Sequence, residues 1–438
     1  MKKVFLLSFL LTAISGFSQK KWTLQEAVDY AVKNNLQVVQ NDYSRQLQEK
    51  NLQMAKREYL PSVSANIGNN ASFGQAQDVF GSIRRNDNFN NSANVSSNIL
   101  LYNNGRLEKT VRRSEYDLQA SIYDVETIKN NISLQVAQQY LSVLLNKEIV
   151  QISQSALENA DRLYKRAKIT TDVGTTPLTV QYEAEANLAR ERQNLQNATI
   201  NVERSLFALA QLLRLDDYRN FDVADVPLSG AIETPLAEVQ DFIERAYEQQ
   251  PQLKAADFRI KAAEAQTEII KTQFWPTITA SAGLGTFYFN SLTMGGEENV
   301  FKQYGDNFSQ QLGVNANIPI FNKGITKLQV EQSKINELVA KNTLEQQKQD
   351  VRQSVQKAAF DANANYQTYL AAVQAERSTR LAFEFAEKSY QAGRTTIYDL
   401  NTARNNLANA EGAIAQAKYN YIFSLKLLNF YAGIPLSL

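Results

Sequence analysis

The sequence predicts an α + β chain in which very long helices alternate with short strand pairs, laid out as two copies of one unit. Three observations predict it. From Ile325 to Ala392 about 68 residues run without Gly or Pro, and about 35 more follow from Ile397 to Tyr431 with one Gly, Gly412. Ala, Gln, Glu, Lys, Arg and Leu dominate both arms, and all are good helix formers. At about 1.5 Å per residue the first arm reaches roughly 100 Å, where an average helix has about 11–12 residues. Secondly, four short segments alternate apolar and small polar residues. Thirdly, a set of landmarks occurs twice in the same order.

Those landmarks define the repeat. Tyr59-Leu60-Pro61 and Phe274-Trp275-Pro276 each follow a helix and precede a strand. Leu101-Tyr102-Asn103-Asn104-Gly105 and Ile320-Phe321-Asn322-Lys323-Gly324 each end a strand and open a long helix. Val173-Gly174-Thr175-Thr176 and Ala392-Gly393-Arg394-Thr395 each break a long hairpin. Gly105 and Gly324 are 219 residues apart, as are Gly174 and Gly393 (324 minus 105, 393 minus 174).

Composition narrows the chemistry. Lys and Arg total 46 against 45 Asp and Glu, so there is no electrostatic case for nucleic acid. There is no Cys and no His. Disulfides, thiolate nucleophiles, His general bases and His-ligated zinc are excluded. No catalytic constellation is visible; the chain is not expected to be an enzyme, and no cofactor or metal site is expected.

In chain order, the first expectation is a signal peptide over 1–18. Lys2 and Lys3 precede the apolar run Val4 to Ile14, and Gly16-Phe17-Ser18 has the small-x-small cleavage form, so the mature chain is expected to begin near Gln19. That run is too short to anchor a bilayer span of roughly 20 residues. The first repeat is expected over 19–230. Thr23-Leu24-Gln25-Glu26 reads as a capping box, and Leu36 to Glu58 as a helix stopped before Pro61. Strands are expected at about 62–74 and 92–102, with a Gly/Asn/Asp-rich loop over 75–91 between them. The long hairpin is expected at about 105–212. In it, Leu134, Ala137, Leu141 and Leu144 form one stripe, with Ile132, Val136 and Val143 beside it. Two seams suit a helix packed on both sides, in a tube or in a bundle core.

Residues 214–250, with Pro227, Pro235 and a short helix from about Ala237, link the halves and are expected to form a belt. The second repeat, 231–438, carries strands at about 277–289 and 308–321 and a hairpin at about 324–431. Helices Leu36–Glu58 and Gln252–Gln273 are expected to stack end to end on the shorter return arms.

The alternating strands have two readings. They suit a half-buried sheet on a soluble core, and equally a tilted transmembrane sheet with apolar residues outside and polar ones inside. Phe73, Phe287, Tyr288 and Phe289 sit at strand ends, where an aromatic girdle would lie. Four strands cannot close a barrel, so a spanning sheet has to be pooled between chains.

Over nearly the whole mature chain the sequence resembles the TolC family of outer membrane efflux proteins. The resemblance is carried most specifically by Tyr390-Gln391-Ala392-Gly393-Arg394-Thr395-Thr396-Ile397-Tyr398-Asp399-Leu400, then Ala408-Asn409-Ala410 and Tyr419-Asn420-Tyr421. It implies a homotrimer with a twelve-stranded β-barrel in the outer membrane lipid, four strands per chain, continuous with a twelve-helix periplasmic α-barrel. The implied function is an exit duct for efflux or type I secretion. Its implied partners are a periplasmic adaptor and an inner-membrane transporter (RND, ABC or MFS type). Lacking a lipobox Cys, the chain resembles the non-lipidated branch.

The resemblance also implies roles for residues at the tips. Gly174, Thr175, Thr176, Gly393, Arg394 and Thr395 would meet the adaptor. Asp399 falls where relatives carry an acidic ring near the closed end, or it is simply a first-turn aspartate suited to the helix dipole. The next acidic position of that motif is Thr402 here. Tyr390 matches a tyrosine of the closing latch, or it is a packing tyrosine. The latch arginine falls at Thr395, one place after Arg394, and the latch aspartate at Val180. The competing function is a periplasmic coiled-coil adaptor or scaffold with a small soluble sheet and no channel.

Overall fold

The computed structural model describes residues 21–77, 80–225, 239–293 and 299–436. The expected signal peptide, and Pro227, Pro235 and Ala237 of the linker, lie outside them. In chain order the elements are β1 (Lys21–Trp22), α1 (Leu24–Asn34), α2 (Leu36–Arg57), β2 (Ser62–Ser72), β3 (Gln75–Gln77), β4 (Ile83–Arg85) and β5 (Asn88–Tyr102). They continue with α3 (Arg106–Asp172), α4 (Leu178–Leu213), β6 (Asp222–Val223), α5 (Val239–Gln249) and α6 (Pro251–Lys271). A 3-10 turn, Thr272–Phe274, leads to β7 (Thr277–Ser291), α7 (Val300–Asp306), β8 (Ser309–Asn317), α8 (Ile325–Gln391) and α9 (Ile397–Tyr431).

Helices α3 and α8 both have 67 residues, and their return arms α4 and α9 have 36 and 35. Each long helix starts behind a left-handed pair, Asn104–Gly105 or Lys323–Gly324, with φ of 55° and 72° or 60° and 77°. The capping box at Thr23 is formed, its hydroxyl accepting from the Glu26 amide and the Glu26 carboxylate accepting from the Thr23 amide.

The strand expectations need three corrections. The 75–91 loop is not all loop: β3 and β4 pair as a small hairpin, and β5 already begins at Asn88. The fourth strand ends at Asn317 rather than 321, because Pro319 has no N–H to give the ladder. The third runs on to Ser291. The described part of the linker contributes β6, which pairs in parallel with β1, an association across about 200 residues that no local pattern announces.

Contacts divide the chain into two units, and neither coincides with a sequence half. One draws on 1–43, 123–253 and 345–438. Its core holds Ile132, Val136, Ala137, Tyr140, Leu141, Val143 and Leu144 of α3, so both apolar stripes are buried except at Leu134, which is half-buried against it. Residues of α1, α4, β6 and α9 pack with them. One hydrogen bond joins the end of each return arm to the chain just before α2 or α6. Arg214, after α4, donates from Nη1 to the Asn34 carbonyl at 3.2 Å, just before α2. Gln250, just before α6, donates from Nε2 to the Tyr431 carbonyl at the end of α9 at 3.1 Å.

The other unit draws on 44–122 and 254–344. It holds an antiparallel sheet of order β2-β5-β7-β8. Helices α6 and α8 meet in it through a buried hydrogen bond, Thr267 Oγ1 to Ser333 Oγ, at 2.8 Å. Among the described residues no helix is long and apolar enough to cross a membrane.

Tyr140 locks the first unit. Its ring is fully buried, and its hydroxyl lies 3.0 Å from the carbonyls of Trp22 and Ala224, on β1 and just past β6. The Trp22 carbonyl also accepts from the Ala224 amide at 2.8 Å, so Tyr140→Phe removes the hydroxyl from the Ala224 carbonyl and leaves Trp22 paired. It is expected to cost about 1–3 kcal/mol, measurable as a lowered melting temperature in detergent. Burial pushes the Tyr140 phenol up to about 12. The neutral form is the one stabilised, so this contribution is intact below pH ~10 and is lost as pH rises through about 12. Burial beside Glu148 raises the Tyr419 phenol too. Tyr140→Phe is therefore expected to shrink the alkaline loss of stability, not abolish it.

Candidate functional site

The hairpin tips are built from backbone geometry first. Gly174 and Gly393 have φ of 77° and 69°, the left-handed conformation that ends a helix. At each, two amides reach back to orphan carbonyls. Gly174 and Thr175 donate to Thr171 and Thr170, both at 2.9 Å. Gly393 and Arg394 donate to Tyr390 and Ser389, at 3.0 and 2.9 Å.

Past that point the tips differ. The first is tied by hydroxyls. Thr176 Oγ1 lies 2.9 Å from Thr170 Oγ1 and 3.1 Å from Thr171 Oγ1, and Thr175 Oγ1 donates to the Thr170 carbonyl at 2.8 Å. The second is tied by a capping box. Thr396 Oγ1 accepts from the Asp399 amide at 3.2 Å. Asp399 Oδ2 accepts from the Thr396 hydroxyl at 2.7 Å and its amide at 3.1 Å. The Thr396 hydroxyl and amide hold the exposed Asp399 carboxyl below the usual range. Its charge sits at the positive end of α9.

Tyr390 packs in the described chain. It and Val180 both lie against the buried Ala167, Ala184 and Ile397, with Tyr164 alongside. The guanidinium carbon of Arg166 lies 5.9 Å from the Tyr390 ring centroid. Apolar packing thus stands where relatives were expected to place a tyrosine–aspartate hydrogen bond. Arg394 is exposed, and the Thr395 hydroxyl is buried without a partner among the described residues. Arg166, Thr170 and Thr171 were not singled out from sequence. The small residues at 167 and 184 mark the close approach only once both hairpins are in place.

The sheet supplies the second feature. Strict alternation puts Ser64, Asn66, Ser96, Asn94, Ser281, Gly283, Gln311 and Gly313 on one face. Val63, Ile67, Val95, Leu284, Leu312 and Val314 occupy the other, and every one is exposed, from 45% at Val95 to 86% at Leu312. Left in water, each forgoes about 1.5–3 kcal/mol of burial. The strands β2, β5, β7 and β8 carry no charged residue on either face.

The aromatics need a correction too. Tyr288 is on the apolar face, its ring centroid 6.4 Å from those of Phe89 and Tyr304. Phe287 and Phe289 point the opposite way, onto the polar face, because neighbours in a strand alternate. Phe73 lies just beyond β2 and is exposed.

The family profile described as "Outer membrane efflux protein" matches residues 27–213 and 242–433. The chain belongs to that family. Members named TolC are among its relatives, and its place is the outer membrane. The outer membrane efflux protein BepC of Brucella suis is 22% identical over 419 residues, covering 95% of this chain and 87% of BepC. The outer membrane protein TolC of Escherichia coli is 26% identical over 312 residues, covering 70% of this chain and 62% of TolC. The crystal structure of the Campylobacter jejuni CmeC outer membrane channel superposes with a TM-score of 0.77 at 20% identity, over 94% of this chain and 85% of CmeC. That likeness fixes the fold.

A Cβ on Gly393 would meet nothing within 4 Å, so Gly393→Ala isolates backbone strain from steric clash. The expected loss is about 1–2 kcal/mol, read as faster amide exchange at the start of α9. Asp399→Ala is expected to speed the same amides by removing the cap. An acid titration should reproduce that change in the parent: a depressed carboxyl stabilises above its unfolded pKa and stops doing so as pH falls through the folded one.

Proposed function

We propose that three copies of this chain form an exit duct through the outer membrane, serving efflux or type I secretion. The observation that carries the reading is the open four-stranded sheet: free edges at β2 and β8, one polar uncharged face, and one uncovered apolar face. Three such sheets joined edge to edge make a closed twelve-stranded barrel, apolar outside and polar within.

The helices beside those edges support the same joint. On α2, which leads into β2, Leu36, Tyr43, Leu47 and Met54 are exposed at 7-4-7 spacing. On α8, which follows β8, Leu328, Ile335, Leu338 and Val339 are exposed on a similar stripe. Unpaired heptad stripes at both ends of the sheet suit a head-to-tail contact that closes a ring. The long hairpins then form the periplasmic tunnel. The two stretches matched by the family profile support reading the halves as repeats. The tips at Gly174 and Gly393 dock the adaptor, which works with an inner-membrane transporter. Opening is a movement of the second hairpin away from the first, breaking the Tyr390 packing. Asp399 contributes a threefold carboxylate ring near the closed end.

The deciding experiment is conductance of the purified protein in planar bilayers, with its mass in detergent. A trimer that conducts is expected; a monomer without conductance refutes the duct. Leu312→Arg puts a charge on the lipid face and is expected to destabilise the assembled barrel by roughly 2–4 kcal/mol, seen as dissociation of the trimer on mild heating. Trivalent cations are expected to block the parent channel and to lose that block in Asp399→Ala. Unchanged block would remove the ring and leave the duct standing.

A further inference from the structure

Helix α9 buries Ile397, Leu400, Arg404 and Leu407, at 3-4-3 spacing. Three are aliphatic. The fourth carries a permanent charge and is only 5% exposed. Arg404 Nε and Nη1 have no hydrogen-bond partner among the described residues. The guanidinium lies over the Phe383 ring, 5.3 Å from its centroid.

Its surroundings are polar and half satisfied. Asn187 and Glu191, one turn apart on α4, are 5% and 4% exposed. The Asn187 and Asn401 side-chain oxygens lack donors, and Glu191 Oε2 accepts from Asn194 Nδ2 at 3.1 Å. Ala184 of α4 and Ile397 of α9 pack in one cluster, and Glu191 and Arg404 each follow them by seven residues on helices that both run away from the tip. Burial is the largest influence and works against the Arg404 charge; Glu387 and, less strongly, Glu191 favour it, and Arg162 opposes it. Neither carboxylate hydrogen-bonds Nε or Nη1. A buried guanidinium and a buried carboxylate that do not meet are worse than an apolar layer, because each keeps its desolvation cost without the pairing that offsets it.

We propose that Arg404 and Glu191 form a register switch between the two hairpins, unpaired while the tips pack together and paired once α9 shifts along α4. The buried charge then favours release of the second tip. A polar residue at a core position of a coiled coil is the established way to choose between registers. The proposal rests on the duct reading for its consequence, since release of the second tip is the opening step.

The test has two arms. The chain has no cysteine, so T175C and R394C place spin labels on the two exposed tips without background. Arg404→Met, similar in volume and uncharged, is expected to shift the tip-to-tip distance distribution toward the packed population. Arg404→Lys should stay near the parent, which separates loss of charge from misfolding. Glu191→Gln should act as Arg404→Met does, and the double variant should go no further than either single one. In planar bilayers Arg404→Met should lower open probability by roughly tenfold. The proposal is overturned if Arg404→Met leaves the distances unchanged or widens them, or if the two substitutions act additively. A parent protein that never conducts refutes the duct instead, and the distance arm still decides the switch.

Discussion

Hydrocarbon offers a backbone N–H or C=O no partner, and the duct proposed above depends on that constraint. The sheet β2-β5-β7-β8 satisfies its two inner strands and leaves β2 and β8 each with an open edge. In lipid those edges are intolerable; in water the exposed Val63, Ile67, Leu312 and Val314 are. A single chain is therefore unfinished in either solvent. In the duct proposed above, a ring of further copies pairs the edges and leaves the apolar face outward. The stripes on α2 and α8 flank the edges because the chain passes directly from one to the other.

The tips face the opposite problem: a helix tens of ångströms long must reverse in a few residues. Both solve it with a left-handed glycine and the same pair of backward hydrogen bonds. They then diverge, one stitched by threonine hydroxyls, the other capped by Thr396 and Asp399. Contact between the tips is slight. A cluster of Ala167, Ala184 and Ile397 holds them, against more than twenty buried residues in the core around Tyr140. Regions with few buried contacts open first, so the ends of the hairpins are suited to movement that leaves the core around Tyr140 intact. Arg404 sits between these regimes, deep enough to be costly and near enough to the tip to be relieved by its motion.

The helix ends were legible to within a few residues, because Gly and Pro mark them and nothing else in such polar, Ala-rich sequence competes. Period-2 alternation likewise gave the four strands, and the strand limits slipped where pairing rather than pattern decides: Asn88 joins β5 because Ser72 and Ser291 are there to meet it. The faces of Phe287 and Phe289 follow from parity alone and were readable from the sequence. The packing of Tyr390 on Ala167 and Ala184 was not. Neither was Arg166, which reads as one more surface cation until a ring from another hairpin lies under it.

What the sequence determined by itself is whatever depends on neighbours along the chain: helix length, caps, strand alternation, the glycine at each reversal. These are set by φ/ψ preference and local hydrogen bonding, and they act over a few residues. Only the tertiary structure decided the parallel pairing of β1 with β6, the uncovered state of the apolar face, and the burial of Arg404 and Glu191 without a bond between them. Each depends on segments dozens to hundreds of residues apart. Whether a side chain is paired or stranded is set by what the other hairpin brings to it.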